Sequence, residues 1–560
     1  MQKIFRVMII IAMLITAYLL ILAWRDDYAD APAVDTVPKT ATSVGADIPS
    51  TSGAAGDIPV QTLPVNTGAV AATPAANTGL ITVTTDRYDI KINPEGGDIV
   101  YAALKQYDAT LDSDKPFVLL ENNSNRVYVA QSGLIGQNGI DTAEGRAKYS
   151  HTANNYVMEK GQQTLSVPLT YKKDGVTVTK TFTFTQDKYP IDISYQIQNA
   201  SANAWQGQMF AQLKRDDSKD PGMSDKGALS MATYLGGAWG TPDDPYNKLK
   251  FGKFNDGELT TTSDKGWVGI VQHYFVSAWT PENFTGKFFS RETGDEYFIG
   301  FNSQPVNVAP NKQVTLNATL YAGPKVQSEL KEVAVGLNQT VDYGLLWPIS
   351  KILFAVLDGI HKVIGNWGWS IILLTILVKI ALMWFSNKSY YSMAKMRAIA
   401  PRLAVLKEEH GDDRMKMSQE MMAIYKEEKV NPMAGCLPIL MQMPIFLALY
   451  WVLVESVELR HAPWILWIQD LSAMDPWFIL PLLMGASMFV QQQLNPQPAD
   501  PMQAKVMKFL PIIFTAFMLF FPAGLVLYWT VNNLFSMTQQ YLINRKVEEE
   551  QKRRTVKVLD

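Results

Sequence analysis

Hydrophobic and polar positions fall into three regimes along the chain. Near the start, Val7–Trp24 is a run of 18 uncharged, mostly aliphatic residues between Lys3 and Arg6 on one side and Asp26, Asp27 and Asp30 on the other. At about 1.5 Å per residue, a helix of this run can cross a hydrocarbon core of roughly 30 Å. Ala29-Asp30-Ala31 is a passable small-x-small cleavage site, but the run exceeds the usual signal-peptide core of about 7–15 residues, so 1–25 reads as an uncleaved signal anchor. Residues 26–79 hold six prolines, much Ala and Thr, and Tyr28 as the only aromatic, a composition that cannot bury a core and reads as a flexible tether. From Leu80 the pattern changes to alternation by two: Ile81–Thr84, Tyr88–Asn93, Val176–Thr185 and Ile191–Gln198, with turn clusters between. Many short strands over 80–340 predict a large β-sandwich. Its Trp205, Trp239, Tyr246, Trp267 and Trp279 are either core and surface aromatics or the lining of a sugar or peptide groove.

The third regime is apolar. Leu345, Ile349, Ile352, Leu353, Val356, Leu357 and Ile360 share one helical face and Lys351, Asp358 and Lys362 another, which makes 341–365 an amphipathic helix suited to the membrane surface. Lys362 and Lys388 then enclose 25 residues with one charge, Lys379, while Val430–Val454, Pro476–Ala499 and Phe509–Asn544 carry none. The last run is 36 residues long and breaks at Pro522-Ala523-Gly524, a turn between two helices. Its first half, Phe509–Phe521, is short for a full crossing unless Lys505 and Lys508 snorkel. The spans are therefore 366–387, 431–455, 476–495, 505–521 and 525–543, six with the anchor, and the chain reads as a polytopic α-helical membrane protein with a β-sandwich outside.

Charge orients it. The connection 388–430 has nine Lys and Arg, Lys505 and Lys508 sit two connections on, and the tail 545–560 has six, whereas 456–475 has only Arg460. By the positive-inside rule both termini are cytoplasmic and residues 25–345 lie outside, in agreement with an even number of spans. Only 18% of the 560 residues are charged, against about 25% in soluble proteins, and the formal charge of −3 excludes an extended nucleic-acid footprint. A lone Cys436 excludes an intramolecular disulfide framework, and the five histidines stand at no ligand spacing, so neither a metal nor another cofactor is expected.

Lys379 is the sharpest signal. It lies about 18 Å from Trp367 at the outer end of its helix and about 13 Å from the inner end, where a charge costs about 2.5–3.5 kcal/mol on insertion scales. It must snorkel, meet a carboxylate or face a wet cavity, and no Asp or Glu lies deep in another span, Glu455 being at an outer end. Thr375 is one turn away; Gln442, Thr515, Thr530, Asn532 and Asn533 lie at similar depth beside Tyr528-Trp529. They are ordinary interhelical hydrogen-bonding groups or the lining of one groove. The loop 388–430, with Gly411-Asp412-Asp413 at its middle, reads as a solvated helical hairpin whose methionines either fill its seam or contact varied apolar partners. The tail can touch ribosomal RNA or anionic lipid, or serve only as a stop-transfer flank.

At these residues the chain resembles the YidC/Oxa/Alb family of membrane protein insertases. The matching stretches are Ser392–Arg397, Ser418–Met422, Glu428–Pro432, Gln442–Tyr450, Ser456–Arg460 and Gly524–Tyr528, with Val341–Gly344 and Gly365–Gly368 before them. The resemblance implies a five-helix insertase core around a hydrophilic groove open to cytoplasm and lipid, and a periplasmic β-supersandwich behind a signal anchor. It places this protein in a bacterial inner membrane. The groove cation falls on Lys379, where many Gram-negative relatives have Arg; Lys keeps the charge and loses the planar two-pronged donor. Other implied groove positions are Thr375, Gln442, Thr515, Tyr528, Trp529 and Asn532, and the implied recruitment hairpin carries Lys395, Arg397, Arg402, Asp412 and Asp413. The implied partners are nascent membrane proteins, the ribosome, the Sec translocon and the lipid bilayer, with no chemical catalysis. A secondary transporter with Lys379 as its substrate or proton site is the rival, although no internal repeat is visible. A periplasmic carbohydrate receptor is a second.

Overall fold

Strand Val176–Thr185 turns Val178, Lys180, Phe182 and Phe184 inward and leaves the residues between them half-exposed. That period of two repeats through the soluble part and builds two sheets. The computed structural model describes residue 59 and residues 79–560 apart from 112, 222–232, 256–258, 411–413, 429, 432–436, 496–500 and 560. The anchor span, nearly all of the tether, and Asp412 and Asp413 lie outside the described residues. One sheet has eleven strands and the other nine, almost all antiparallel; Thr82–Thr84 with Asn155–Val157 is a parallel pairing. Strand Pro190–Asn199 sits between Val176–Thr185 and Lys312–Pro324, in the register Ile193 opposite Phe182 and Ala318. The enclosed core includes Tyr88, Phe182, Tyr195, Trp267, Trp279 and Tyr321. Trp205 is also buried and Trp239 and Tyr246 pack against the core, so all five singled-out aromatics belong to the sandwich interior or its margin.

Alternation also carries charge inside. Lys180 is fully buried and donates to the carbonyls of Gly96 (3.2 Å), Gly97 (2.7 Å) and Ser132 (3.1 Å). Beside it, Arg146 pairs with Asp98 at 2.8 Å and Asp141 at 2.9 Å. Burial pushes the Lys180 ammonium down to about 7, against the pull of Asp98.

Ten helices follow among the described residues. A short α1 (Gln327–Val333) leads to α2 (Trp347–Ile364), α3 (Trp367–Ala381), α4 (Met383–Ala398), α5 (Ala400–His410), α6 (Arg414–Glu427), α7 (Leu437–Glu455), α8 (Ile479–Gln493), α9 (Pro501–Met518) and α10 (Ala523–Leu559). Asn366 caps α3 by accepting from the Trp369 N–H, and Gly365 ends α2 in the left-handed region that glycine tolerates. On α2 Leu353 and Leu357 are buried while Leu345 just before it, Ile352 and Val356 stay exposed, so the protein covers only part of the apolar face. By length and composition Gly344–Ile364 is also apolar enough to cross a bilayer; α3 and α4 pass that test only as a pair, and they are bent by 69°. The turn at Pro522-Ala523-Gly524 forms: the first free N–H groups of α10 are satisfied by Ala473 (2.7 Å) and Leu471 (2.9 Å) carbonyls from the 456–475 connection.

The end of α7 and the start of that connection meet the sheet-rich part. Lys325 donates to Glu455 at the end of α7 (3.0 Å) and to the Thr340 carbonyl (3.1 Å), and His273 Nε2 donates to the Val454 carbonyl (2.8 Å), an orphan acceptor of the last helical turn. Burial and the nearby Lys325 hold His273 down to about 3, so it stays neutral. Arg460 donates to the carbonyls of Asp108 (2.7 Å) and Ala109 (3.2 Å) and lies over the stacked rings of Phe117 and Phe275.

Candidate functional site

The last turn of α3 carries one charge among apolar side chains. Lys379 is only 5% exposed, and its Nζ donates to Ser536 Oγ on α10 at 2.7 Å. The Ser536 hydroxyl donates to the Asn532 backbone carbonyl, also at 2.7 Å, so its lone pairs are turned to the ammonium. Asn532 is buried, and its Oδ1 has no hydrogen-bond partner among the described residues. Thr375, fully buried one turn from Lys379, is satisfied within its own helix by Ile371 (2.7 Å).

A second pair forms one helix over. Gln442 of α7 donates to the Tyr528 hydroxyl of α10, both groups being buried. Trp529 beside it packs edge-on against Phe446 and tilted against Phe514, with ring centroids 4.9 and 5.0 Å apart, and its buried Nε1 is unpartnered. Thr515 donates to Pro511 (2.6 Å) and turns to Gly485 on α8, where a Cβ would stand 2.1 Å from its hydroxyl. The singled-out residues thus separate into Lys379 with Asn532, Gln442 with Tyr528 and Trp529, and Thr515 at the α8–α9 contact.

Ser536 joins the first group to a longer seam, whose members Ser536, Gln539 and Gln540 the sequence reading did not single out. Asn533 donates to Ser487 (3.0 Å), Gln539 to Asn387 (2.7 Å), and Gln540 to Asn495 (2.9 Å) and the Leu494 carbonyl (3.1 Å). Residues 528, 532, 536, 539 and 540 recur every three or four positions, the signal of one helical face turned to α3, α4, α7 and α8. Near the end of α4, Lys395 lies 5.0 Å from the Tyr391 ring and Arg397 is exposed, and on α5 Arg402 reaches Glu427 (3.4 Å) and Glu428 (3.3 Å). Among the described residues no cluster of three or more His, Cys, Asp or Glu could hold a metal.

Comparison with known proteins places this architecture. Residues 80–356 match a family described as the YidC periplasmic domain, and 359–551 match the 60Kd inner membrane protein family. The chain is 50% identical over 562 residues to the membrane protein insertase YidC of Pseudomonas syringae pv. syringae (strain B728a), covering 98% of this chain and 99% of the relative. It is 48% identical over 571 residues to that of Ectopseudomonas mendocina (strain ymp), covering 97% and 98%. A crystal structure of an active YidC insertase with its first transmembrane domain resolved is similar at 17% identity and a TM-score of 0.37, covering 83% of this chain and 93% of that one. The two matched families account for the sheet-rich part and the helical part in turn, and the chain belongs to the YidC family of membrane protein insertases.

Proposed function

We propose that the seam along α10 is where this insertase and chaperone lowers the barrier for polar segments of inner-membrane proteins entering lipid. The observation that carries it is Lys379: buried in an apolar helix, it is held by a hydroxyl rather than a carboxylate, which leaves its charge uncompensated. A site of this kind attracts acidic outer segments of a substrate, while Thr375, Gln442, Asn532 and Tyr528 offer hydrogen bonds that hydrocarbon lacks. In lipid each unsatisfied backbone group costs several kcal/mol. The apolar part of the substrate slides past Gln442, Tyr528 and Trp529 into the bilayer, and Thr515 lies at the groove's margin. No bond is made or broken, so no cofactor or nucleotide is required.

In this reading the anchor, α3, α7, α8, α9 and the first part of α10 are the six spans, the last five being the insertase core. The sandwich is periplasmic, both termini are cytoplasmic, and α2 lies on the outer membrane surface. Helix α8, with 15 residues, rises only about 22 Å, less than a core of roughly 30 Å. Short spans thin the bilayer locally and shorten the dry path. The hairpin, with Lys395, Arg397, Arg402, Asp412 and Asp413, recruits the ribosome or nascent chain, and the protein works alone or beside the Sec translocon. Purified protein in liposomes, given a single-span substrate without ATP, is expected to protect the substrate's outer tail from added protease. Protection no greater than in empty liposomes overturns the reading.

A further inference from the structure

The bend between α3 and α4 places Lys379 in the last turn before Leu382, and α4 leaves at 69°. Across from it stands Ser536, 2% exposed, and Lys379 Nζ reaches its hydroxyl at 2.7 Å from α3. Its own proton is committed to the Asn532 carbonyl, so toward the ammonium it acts only as an acceptor. A lysine near a helix end can otherwise extend along the helix and carry its charge to the interface. Ser536 opposes that motion, because leaving it would break a charge-assisted hydrogen bond inside a low-dielectric bundle.

We infer that Ser536 is the positioning residue of the Lys379 charge: it holds the ammonium inside the bundle, facing α10, just before the bend between α3 and α4. The inference rests on the insertase reading for its consequence but not for its geometry. An ammonium has three N–H donors, and Ser536 Oγ is the partner of Lys379 among the described residues. The donors left over, beside the unpartnered Asn532 Oδ1, are what an incoming carboxylate would meet. Ser536 therefore sets where the charge is offered, and so how strongly the site prefers an acidic tail.

The test pairs two measurements on the full chain in lipid. In the first, single-span substrates differing only by Asp or Asn in the outer tail are inserted by wild type, Ser536→Ala, Ser536→Thr and Lys379→Met. Loss of one charge-assisted hydrogen bond should lower the acid-over-neutral ratio of Ser536→Ala by roughly tenfold, toward that of Lys379→Met. Ser536→Thr keeps the hydroxyl and should keep the ratio. An unchanged ratio in Ser536→Ala overturns the inference, as does an equal loss for both tails, which a merely structural serine would give. The second measurement follows the nuclear magnetic resonance signal of isotope-labelled Lys379 Nζ in nanodiscs, without substrate. Slow proton exchange in wild type and Ser536→Thr, and fast exchange in Ser536→Ala, supports the inference; exchange indifferent to Ser536 refutes it. Because this signal needs no insertion, failure of the insertase reading and failure of the positioning role remain distinguishable.

Discussion

Lys379 is visible in the sequence because it is the single charge between residues 362 and 388. Ser536 is not visible, for it stands 157 positions away in an uncharged run where a serine is unremarkable. The same asymmetry governs Lys180. Strict alternation in Val176–Thr185 puts it on the inward face, yet nothing local identifies the carbonyls of Gly96, Gly97 and Ser132 that receive it. Its low folded pKa has a consequence with a definite sign. Between about 7 and the ordinary 10.5 the unfolded chain holds a proton that the folded one releases. Stability of the sandwich should therefore rise with pH across that window, the full burial penalty being present below it. Thermal unfolding of the strand signal by circular dichroism, from about pH 7.5 to about pH 9, should show this rise in wild type and a flatter profile in Lys180→Met. An equal slope in both would assign the proton elsewhere.

At the scale of elements, alternation by two found the strands it was applied to, because each pairs with neighbours that obey the same alternation. Uncharged runs located the apolar helices α3, α7, α8 and α10 but said nothing of the bend after Lys379, since Ala381–Met383 contains neither Pro nor Gly to mark it. Close helix approach was hidden for a similar reason: a single glycine is informative only once its neighbour is known. Gly485 is such a case, with Thr515 Oγ1 2.1 Å and Thr515 Cγ2 3.0 Å from where a Cβ would stand. Gly485→Ala should force α8 and α9 apart and cost about 1–3 kcal/mol, read as a lowered midpoint of unfolding in detergent. Thr515→Ala removes both atoms, so the double variant should recover most of the loss. Additive losses in the double variant would mean that the helices do not meet there.

For the whole molecule, the junction between sheets and helices was the least legible part. Glu455 reads from sequence as an acid at the outer end of a span, whereas its partner Lys325 is 130 residues earlier and both are almost fully buried. Replacing Lys325 with Met leaves a buried carboxylate unpaired and should cost about 3–5 kcal/mol. Lys325→Met together with Glu455→Met should restore most of that, as both charges leave the interior. Denaturant unfolding of the full chain distinguishes these outcomes, and a double variant no better than the single would show that the pair does not clasp the two parts. The long family motifs, by contrast, were legible from Val341 to Tyr528, and relatives matched over nearly the whole chain tie the sandwich and the helices to one family.

That activity turns on whether polar substrate segments pass along the seam of α10. A photoreactive residue placed singly at Thr375, Gln442 or Tyr528, or at the exposed positions Leu373 and Ile380 of α3, can capture a substrate halted during insertion. Adducts with the polar outer tail are expected at Thr375, Gln442 and Tyr528 and absent at Leu373 and Ile380. Equal capture at the exposed apolar positions, or capture there alone, would contradict passage along the seam.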